Sequence, residues 1–208
     1  MAVKGVSEMV VRRLPLYLRT LTFLAAEGRK LISSQELGER LGISPAQIRK
    51  DLSYFGEFGK QGSGYEVEYL KEQLERILNV DKEWELALVG AGDLGHALIL
   101  HYGGFEGRGF RITTVFDKDP QKIGKKIGDL EILDSKLLPK IVKERGIQLA
   151  IIAVPTDEAQ EVADELVKAG IKGILSYAPI ILDVPPEVRV QCIDPVIRLQ
   201  RITYYLDK

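Results

Sequence analysis

Several residue types are scarce in this sequence, and each shortage excludes a class of structure or chemistry. Cys192 is the single cysteine among 208 residues, so no intrachain disulfide can form, and a reducing cytoplasm is expected. The two histidines, His96 and His101, lie in one predicted helix, and the sequence contains no Cys/His cluster of the kind that binds a metal. No apolar run approaches the roughly 20 residues of a membrane span, and no signal-peptide pattern opens the chain. We therefore expect a cytoplasmic protein without a metal site or a membrane segment.

Net charge is also small, at −1, but its distribution is uneven. Residues 1–60 carry ten Lys and Arg against six Asp and Glu, whereas the remaining residues carry 19 against 24. A basic N-terminal segment on an acidic body favours nucleic-acid binding at one end of the chain.

The N-terminal segment begins with the signals of two helices. Residues 8–26 carry apolar side chains at helical spacing. Because proline suits a first turn, we expect this helix to begin near Pro15 and to end at Gly28. Ser33 and Glu36 then form the pattern of a capping box for a second helix.

A third helix follows Ser44 and has the position of the recognition helix in a winged helix-turn-helix. Its apolar residues Ile48, Leu52 and Phe55 share one face, which leaves polar side chains facing outward. Glycines punctuate residues 56–64, and this stretch predicts a short hairpin, or wing. Glutamine can pair with adenine and arginine with guanine in the major groove, while hydroxyls and lysines suit phosphates. The candidate DNA-binding residues are Ser44, Pro45, Gln47, Arg49, Lys50, Ser53, Tyr54, Lys60 and Gly62.

A glycine-rich turn indicates a dinucleotide site. Gly90, Gly92 and Gly95 follow the apolar run 84–89 directly and open a helix, which is the context that this motif requires. Asp117 ends the next predicted strand, where a carboxylate binds ribose hydroxyls and repels a 2′-phosphate, so NAD(H) is favoured over NADP(H). The candidate cofactor-binding residues are Gly90, Ala91, Gly92, Asp93, Leu94, Gly95, Asp117, Lys118, Val154, Pro155, Thr156, Tyr177, Ala178 and Pro179.

The order of predicted elements defines the fold class. Strands alternate with helices from residue 84 onward, which predicts an α/β protein with a Rossmann-like, doubly wound parallel sheet behind the winged helix. We expect a DNA-binding domain at 1–78 and an NAD(H)-binding domain at 79–192. The apolar helix predicted at 193–208 has no place in a minimal sheet domain, so we expect it to dimerise.

The sequence does not offer the groups of a hydride-transfer enzyme. Such an enzyme needs a substrate domain and a general acid or base, usually His or Lys, near the nicotinamide. Both histidines fall on the first helix after the glycine turn, and residues 130–208 only complete the sheet. No catalytic residue is therefore assigned.

These motifs together resemble the redox-sensing transcriptional repressor family Rex over nearly the whole chain. The run 47–56 is similar to the recognition-helix signature of that family, and the runs 90–95, 116–120 and 170–175 are similar to its Rossmann half. The resemblance implies a homodimer whose C-terminal helix is exchanged between subunits. It also implies binding of a palindromic DNA operator in the free or NAD⁺-bound form, with release by NADH when the dimer closes.

The resemblance further implies a three-residue switch. Tyr102 would bond Asp194 of the partner subunit in the NADH state, and Arg19 would pair with Asp194 in the DNA-bound state. Two alternatives stay open at this point: a DNA-binding regulator that senses another ligand, such as coenzyme A or a sugar phosphate, and a small NAD-dependent oxidoreductase.

Overall fold

The chain folds into two units, as seen in a computed structural model that describes residues 5–60, 64–101, 105 and 107–206. The units are Met1–Lys82 and Glu83–Lys208. None of the helices in these described ranges is long and apolar enough to cross a membrane.

The first unit is a helix-turn-helix followed by a wing. Three short strands pair antiparallel in the order β1-β3-β2. Its elements are α1 (Glu8–Ala26), β1 (Leu31–Ile32), α2 (Ser34–Leu41), α3 (Pro45–Ser53), β2 (Gly59–Lys60), β3 (Gly64–Glu66) and α4 (Val67–Ile77).

Helix α1 begins about two turns earlier than the sequence predicts. It starts at Glu8 and contains Pro15 in its interior, so the expectation of a start near Pro15 is wrong. Pro15 is exposed, and water can therefore satisfy the Val11 carbonyl that loses its helical partner. The buried residues Leu14, Leu21 and Leu24 form one apolar face that lies on both sides of the proline. Burial of that face outweighs the missing backbone hydrogen bond.

Helix α2 packs closely against the backbone that leads into α3. Ser33 caps α2 by accepting the Glu36 amide hydrogen at 3.0 Å, as the sequence predicts. The Glu36 side chain, however, pairs with Arg29 and Arg40 rather than completing the capping box. A Cβ on Gly38 would collide with the Ile43 backbone oxygen, so only glycine permits this approach of the two helices.

The second unit is a doubly wound sheet. Seven strands lie in the order β10-β9-β8-β4-β5-β7-β6, all parallel except the β6–β7 pair. Its elements are β4 (Trp84–Val89), α5 (Asp93–Leu100), β5 (Phe110–Asp117), β6 (Lys126–Ile127), β7 (Leu130–Asp134), α6 (Leu138–Arg145), β8 (Leu149–Ile152), α7 (Ala159–Ala169), β9 (Gly173–Ser176), β10 (Arg189–Cys192) and α8 (Pro195–Thr203).

Alternation along the central strand builds a core on each face of this sheet. Ala87 and Val89 pack with residues of α6 and α7, whereas Leu86 and Leu88 pack on the opposite face with Leu98 of α5. The strand order reverses between β4 and β8, and in such sheets a ligand binds at the carboxyl ends of the strands at that point.

Two features of the second unit depart from the sequence-based picture. The β6–β7 hairpin was not predicted, because residues 120–127 look helical or irregular and the two strands are joined by a tight turn at Gly128. Helix α8 forms where predicted, but residues 195–206 are all exposed. Its exchange between subunits stays a prediction.

Candidate functional sites

Helix α3 and its C-cap present four of the predicted DNA-reading residues on the exposed side of the helix. Ser44 Oγ accepts the Gln47 amide hydrogen at 3.2 Å, and Pro45 fills the first helical position. Ile48 and Leu52 are buried, which turns the opposite side of the helix to solvent. The exposed residues of that side are Arg49, Lys50, Ser53 and Tyr54.

Two of these exposed side chains are held by neighbours. Arg49 Nη1 donates to Ser34 Oγ of α2 at 2.8 Å, which braces the guanidinium along the helix surface. Ser53 Oγ donates to the Lys50 carbonyl at 2.8 Å. The remaining oxygen lone pairs and guanidinium donors stay available to phosphates or bases.

A buried carboxylate under this surface was missed by the sequence reasoning. Asp51 is fully buried on the inner side of α3 and accepts two hydrogen bonds from Arg13, Nε at 2.6 Å and Nη2 at 2.8 Å. The Tyr17 hydroxyl and Gln47 Nε2 also donate to Asp51, each at 2.6 Å. The signal was present as Arg13 and Tyr17 four residues apart on one helix face.

Burial alone would raise the pKa of Asp51, but the hydrogen bonds from Arg13, Tyr17 and Gln47 together hold that pKa below its usual range. Burial, followed by the bond to Asp51, raises the pKa of Tyr17. The hydrogen bond to Asp51 raises the pKa of Arg13. Asp51 is therefore ionised and Tyr17 neutral at physiological pH.

The wing carries the remaining DNA-binding candidates. Lys60 ends β2 and pairs with Gly64 of β3, so its backbone lies in the wing as predicted. Its side chain is outside the described part of the structure. Gly62 also lies outside the described residues.

The dinucleotide motif forms a cleft of about 790 Å³ at the carboxyl ends of β4, β5 and β8. Gly90 has φ +105°, and a Cβ there would collide with the Ala153 backbone oxygen. A Cβ on Gly95 would collide with the Gly90 backbone oxygen, so this glycine permits the close packing of α5 on the turn. Gly92, in contrast, has no heavy atom within 4 Å of the position of its Cβ. This open side leaves room for a phosphate group at the N-terminus of α5.

Asp117 stands at the end of β5 and connects the turn to the next loop. Its Oδ2 accepts the Ala91 amide hydrogen at 2.8 Å and a Lys122 ammonium hydrogen at 3.1 Å, while Oδ1 accepts the Asp119 amide hydrogen at 2.9 Å. Burial would raise the pKa of Asp117, but the backbone bonds and Lys122 lower it. A carboxylate has about four acceptor positions, so one remains for a ribose hydroxyl.

The cleft contains fewer than half of the predicted cofactor residues. Those that line it are Gly90, Gly92, Asp117, Lys118, Val154 and Pro155. Those that do not line this cleft are Ala91, Asp93, Leu94, Gly95, Thr156, Tyr177, Ala178 and Pro179. Ala91 and Gly95 shape the turn without lining the cleft: the Ala91 amide donates to Asp117, and Gly95 packs against the Gly90 backbone. Ala178 is buried in the sheet core.

Several residues of the cleft wall were not predicted. Lys122 was missed, although a cation five residues after Asp117 is a local signal. Lys118 Nζ pairs with Glu158 Oε1 at 2.8 Å, and this hydrogen bond raises the pKa of Lys118. The pair spans the loops after β5 and β8. The remaining unpredicted lining residues are Val89, Asp119, Pro120, Ser135, Ala153, Glu161, Val162 and Glu165.

Two of the three predicted switch residues, Arg19 and Asp194, lie within the described residues. Arg19 is exposed on α1 and has no ion pair with another residue of the described ranges. Asp194 caps α8 by accepting the Val196 amide hydrogen at 2.8 Å. Tyr102 lies outside the described residues.

The described residues contain no group of three or more His, Cys, Asp or Glu side chains that could hold a metal. His96 Nδ1 lies 3.0 Å from the Gly92 carbonyl oxygen, and His101 ends α5. Cys192 is exposed, and its thiol lies 3.4 Å from the Ala178 carbonyl oxygen.

Comparison with known proteins matches both units. A family model described as "Putative DNA-binding protein N-terminus" matches residues 5–53, and one described as "CoA binding domain" matches residues 81–180. A redox-sensing transcriptional repressor Rex of Chloroflexus aurantiacus is 58% identical over 199 residues, which are 96% of this chain and 93% of that protein.

Two solved structures are similar over nearly the full length. The crystal structure of RSP in complex with β-NAD⁺ and operator DNA has a TM-score of 0.90 and 41% identity, and it covers 97% of this chain and 93% of that chain. The structure of RSP with β-NADH has a TM-score of 0.89 and 39% identity, and it covers 98% and 95%. RSP is described as a Rex-family repressor.

A winged helix-turn-helix joined to a Rossmann-like sheet with an open phosphate cradle defines a DNA-binding transcriptional regulator with a nucleotide domain. Within that class, the chain belongs to the Rex family of redox-sensing transcriptional repressors. The family resemblance and the fold class expected from the sequence are confirmed, apart from the exchange of α8.

Proposed function

We propose that this chain represses transcription by binding a palindromic operator when free or bound to NAD⁺, and that NADH releases it. The observation that carries the proposal is the combination of an outward-facing α3 with a cleft that fits a dinucleotide, in a chain 58% identical to a Rex repressor. The proposal is supported by two structures of RSP, one with β-NAD⁺ and operator DNA together and one with β-NADH.

The chain's own residues suit the adenosine and pyrophosphate of NAD(H). The Gly92 cradle and the N-terminus of α5 would hold the phosphates, because backbone amides and the helix dipole favour anions there. Asp117 would accept a ribose hydroxyl in its free acceptor position and exclude a 2′-phosphate. Lys122 can leave Asp117 on binding, since its side chain is partly exposed.

Redox sensing requires that the two nicotinamide forms differ in affinity for the form that does not bind DNA. The ring carries a positive charge when oxidised and none when reduced. Val154 and Pro155 give the cleft an apolar wall, and we propose that Ala178 and Pro179 extend it when the dimer closes. An apolar closed site penalises the cationic ring.

The active assembly that we propose is a homodimer in the cytoplasm. The exposed apolar residues of α8 would pack on the partner, and two α3 helices would then contact the two halves of a palindrome. Arg19, Tyr102 and Asp194 would exchange partners between the DNA-bound and NADH-bound states. The candidate DNA-binding residues named above would make the operator contacts.

We further propose that the chain catalyses no reaction. The curated relative is named a repressor. The two lysines among the described residues of the cleft lining, Lys118 and Lys122, are each paired with a carboxylate, Glu158 and Asp117, so neither stands free as an acid or base. Assay of NADH consumption with small carbonyl substrates tests this directly, and any turnover above background would contradict it.

The deciding experiment is fluorescence anisotropy with a labelled operator that the full-length chain selects from a random duplex library. NADH and NAD⁺ are titrated at one fixed salt concentration, because DNA affinity depends steeply on salt. We expect NADH to release the operator at concentrations where NAD⁺ has little effect. Tight operator binding that neither nucleotide changes would overturn the sensing function and keep the DNA-binding one.

Coenzyme A is the ligand to include as a competitor in that titration, because the family model over residues 81–180 is described as a CoA binding domain. Coenzyme A shares the adenosine and pyrophosphate but carries a ribose 3′-phosphate. We expect no release by coenzyme A, since Asp117 stands at the ribose position. Release by coenzyme A but not by NADH would identify the other ligand.

A further inference from the structure

The Asp51 cluster lies directly beneath the proposed DNA-reading surface and reaches it through one side chain. Asp51 and Tyr17 are fully buried. Gln47, which lies one turn before Asp51 near the N-terminus of α3, is partly exposed and is the member of the cluster on the recognition helix that solvent reaches. The first unit already has an apolar core to hold its helices together. Burying a charge costs desolvation energy, and in some proteins buried polar groups are retained because they confer specificity.

The Asp51 cluster fixes the orientation of the Gln47 side-chain amide. A carboxylate only accepts hydrogen bonds, so the Gln47 group that lies 2.6 Å from Asp51 Oδ1 must be the amide nitrogen. The Gln47 carbonyl oxygen therefore points away from Asp51. Asp51 itself cannot rotate, because Arg13 grips both of its oxygens and Tyr17 holds Oδ2.

From this arrangement we infer that Asp51 is a positioning residue for sequence readout: it holds Gln47 so that a hydrogen-bond acceptor faces the major groove. The base that suits this acceptor is one with an amino group at its major-groove edge, which is adenine or cytosine. The inference rests on the proposed function, because it needs α3 to lie in the major groove. It assigns a role to Asp51, Arg13 and Tyr17 in choosing the base rather than in contacting DNA.

The test compares operator discrimination in the variants Gln47→Ala, Asp51→Asn and the double variant of the full-length chain. The probes are the selected operator and a set of duplexes with each half-site base pair replaced in turn, at one salt concentration. Gln47→Ala should lose about tenfold discrimination at one base pair of each half-site. Asp51→Asn should alter discrimination at that same base pair and leave affinity for non-specific DNA unchanged, since phosphate contacts are intact.

Asp51→Asn has a signature that loss of stability cannot produce. Arg13 and Tyr17 would occupy the single acceptor of the new side chain, so its amide nitrogen would face Gln47. The Gln47 amide would then turn, and a donor would face the groove in place of the acceptor. We expect the preference to shift toward guanine or thymine, whose major-groove edges present acceptors. In the double variant, no change beyond that of Gln47→Ala should appear.

A core variant on another helix serves as the control. Leu74→Ala removes buried side-chain atoms from α4 and destabilises the same unit without removing a hydrogen bond of the Asp51 cluster. Measured well below its unfolding temperature, it should keep the discrimination of the wild type. Additive losses in the double variant, or a discrimination change in Leu74→Ala as large as that in Asp51→Asn, would overturn the inference.

Two measurements separate failure of the inference from failure of the proposed function or of folding. If the wild-type chain enriches no sequence from the library, the proposed function itself is wrong. If Asp51→Asn does not fold, nitrogen-15 relaxation of the Gln47 side-chain amide in the wild type remains decisive. We expect an order parameter above roughly 0.8, as for rigid backbone, and a value below about 0.6 would contradict the inference.

Discussion

One buried carboxylate in each unit organises the hydrogen bonds around a candidate site. Asp51 and Asp117 are both buried, ionised and surrounded by donors, one in each unit. Each joins two segments that are far apart in sequence: Asp51 connects α3 to α1, and Asp117 connects the end of β5 to the glycine turn. Their removal should therefore affect one function each.

At the residue scale, we expect Asp117→Ala to weaken NADH binding by roughly 30- to 100-fold. A hydrogen bond to a charged group is worth about 1.5–3 kcal/mol, and the turn also loses the bond from the Ala91 amide. Isothermal titration with NADH measures the effect. Operator affinity without nucleotide serves as the control and should stay at the wild-type value. NADH affinity within threefold of the wild type would show that the ribose does not bind at Asp117.

The lowered pKa of Asp51 makes the stability of the first unit depend on pH at the acid end. The unfolded carboxyl has a pKa of about 3.9, so below that pH the unfolded state binds more protons than the folded state. We expect the contribution of Asp51 to the free energy of unfolding to be constant from pH 8 to about 5 and to fall as the pH drops through roughly 4 toward the folded pKa.

Urea denaturation followed by circular dichroism, at a series of pH values, measures this dependence. Asp51→Asn should be less stable than the wild type by about 3 kcal/mol at pH 7, because breaking a buried pair leaves Arg13 without its partner. The difference between the two proteins should shrink at acid pH. A difference that is constant down to pH 3 would contradict the assignment.

At the scale of elements, two glycines near the turn that joins β4 to α5 are needed for different reasons. Gly95 is required by packing, because a side chain there would meet the Gly90 backbone. Gly92 is required, under the proposed function, only by the ligand, because its open side faces the cleft. The two positions therefore form a matched pair in which the same change has different consequences.

We expect Gly92→Ala to fold with nearly wild-type stability but to lose NADH binding by at least tenfold, because the new methyl group occupies the phosphate cradle. Gly95→Ala should instead destabilise the second unit by about 1–3 kcal/mol, which is the usual cost of overpacking. Thermal unfolding and NADH titration distinguish the two variants. Equal loss of stability in both would show that the Gly92 side is not open.

Much at the element scale could be predicted from local sequence. Ser33 and Ser44 mark the starts of α2 and α3, and Gly90 follows the strand it was expected to follow, because caps and turns depend on a few adjacent residues. The start of α1 could not be predicted, since the burial of its apolar face is a tertiary effect that overrides the local preference of Pro15. The β6–β7 hairpin could not be predicted for a different reason: β6 is only two residues long, and so short a strand carries little signal in the local sequence.

At the scale of the whole molecule, the exposure of α8 is the feature to explain. Val196, Ile197, Leu199 and Ile202 are each more than half exposed in the single chain. A row of apolar side chains of this kind on one helix is typical of a subunit interface. Under the proposed function, the partner subunit covers it.

We expect Ile197→Glu combined with Ile202→Glu to convert a dimer into a monomer, because charged groups cannot be buried there without partners. Sedimentation velocity at micromolar concentration measures the assembly. Operator affinity should fall by about 100-fold, since a monomer loses the gain of binding two linked half-sites. Gln200→Glu on the same exposed helix is the matched control and should stay dimeric. A dimer that survives the double change would place the interface elsewhere.

Local sequence was sufficient for the features that depend on neighbours in the chain: the caps of α2 and α3, the glycine turn, the alternation of strands and helices, and through these the family. It was not sufficient for contacts between distant residues. Arg13 meets Asp51 across 38 positions, and Gln160 bonds the backbone of Asp183 across 23. Such pairs depend on how helices and strands pack, and periodicity reports which face of an element is buried without reporting what that face meets.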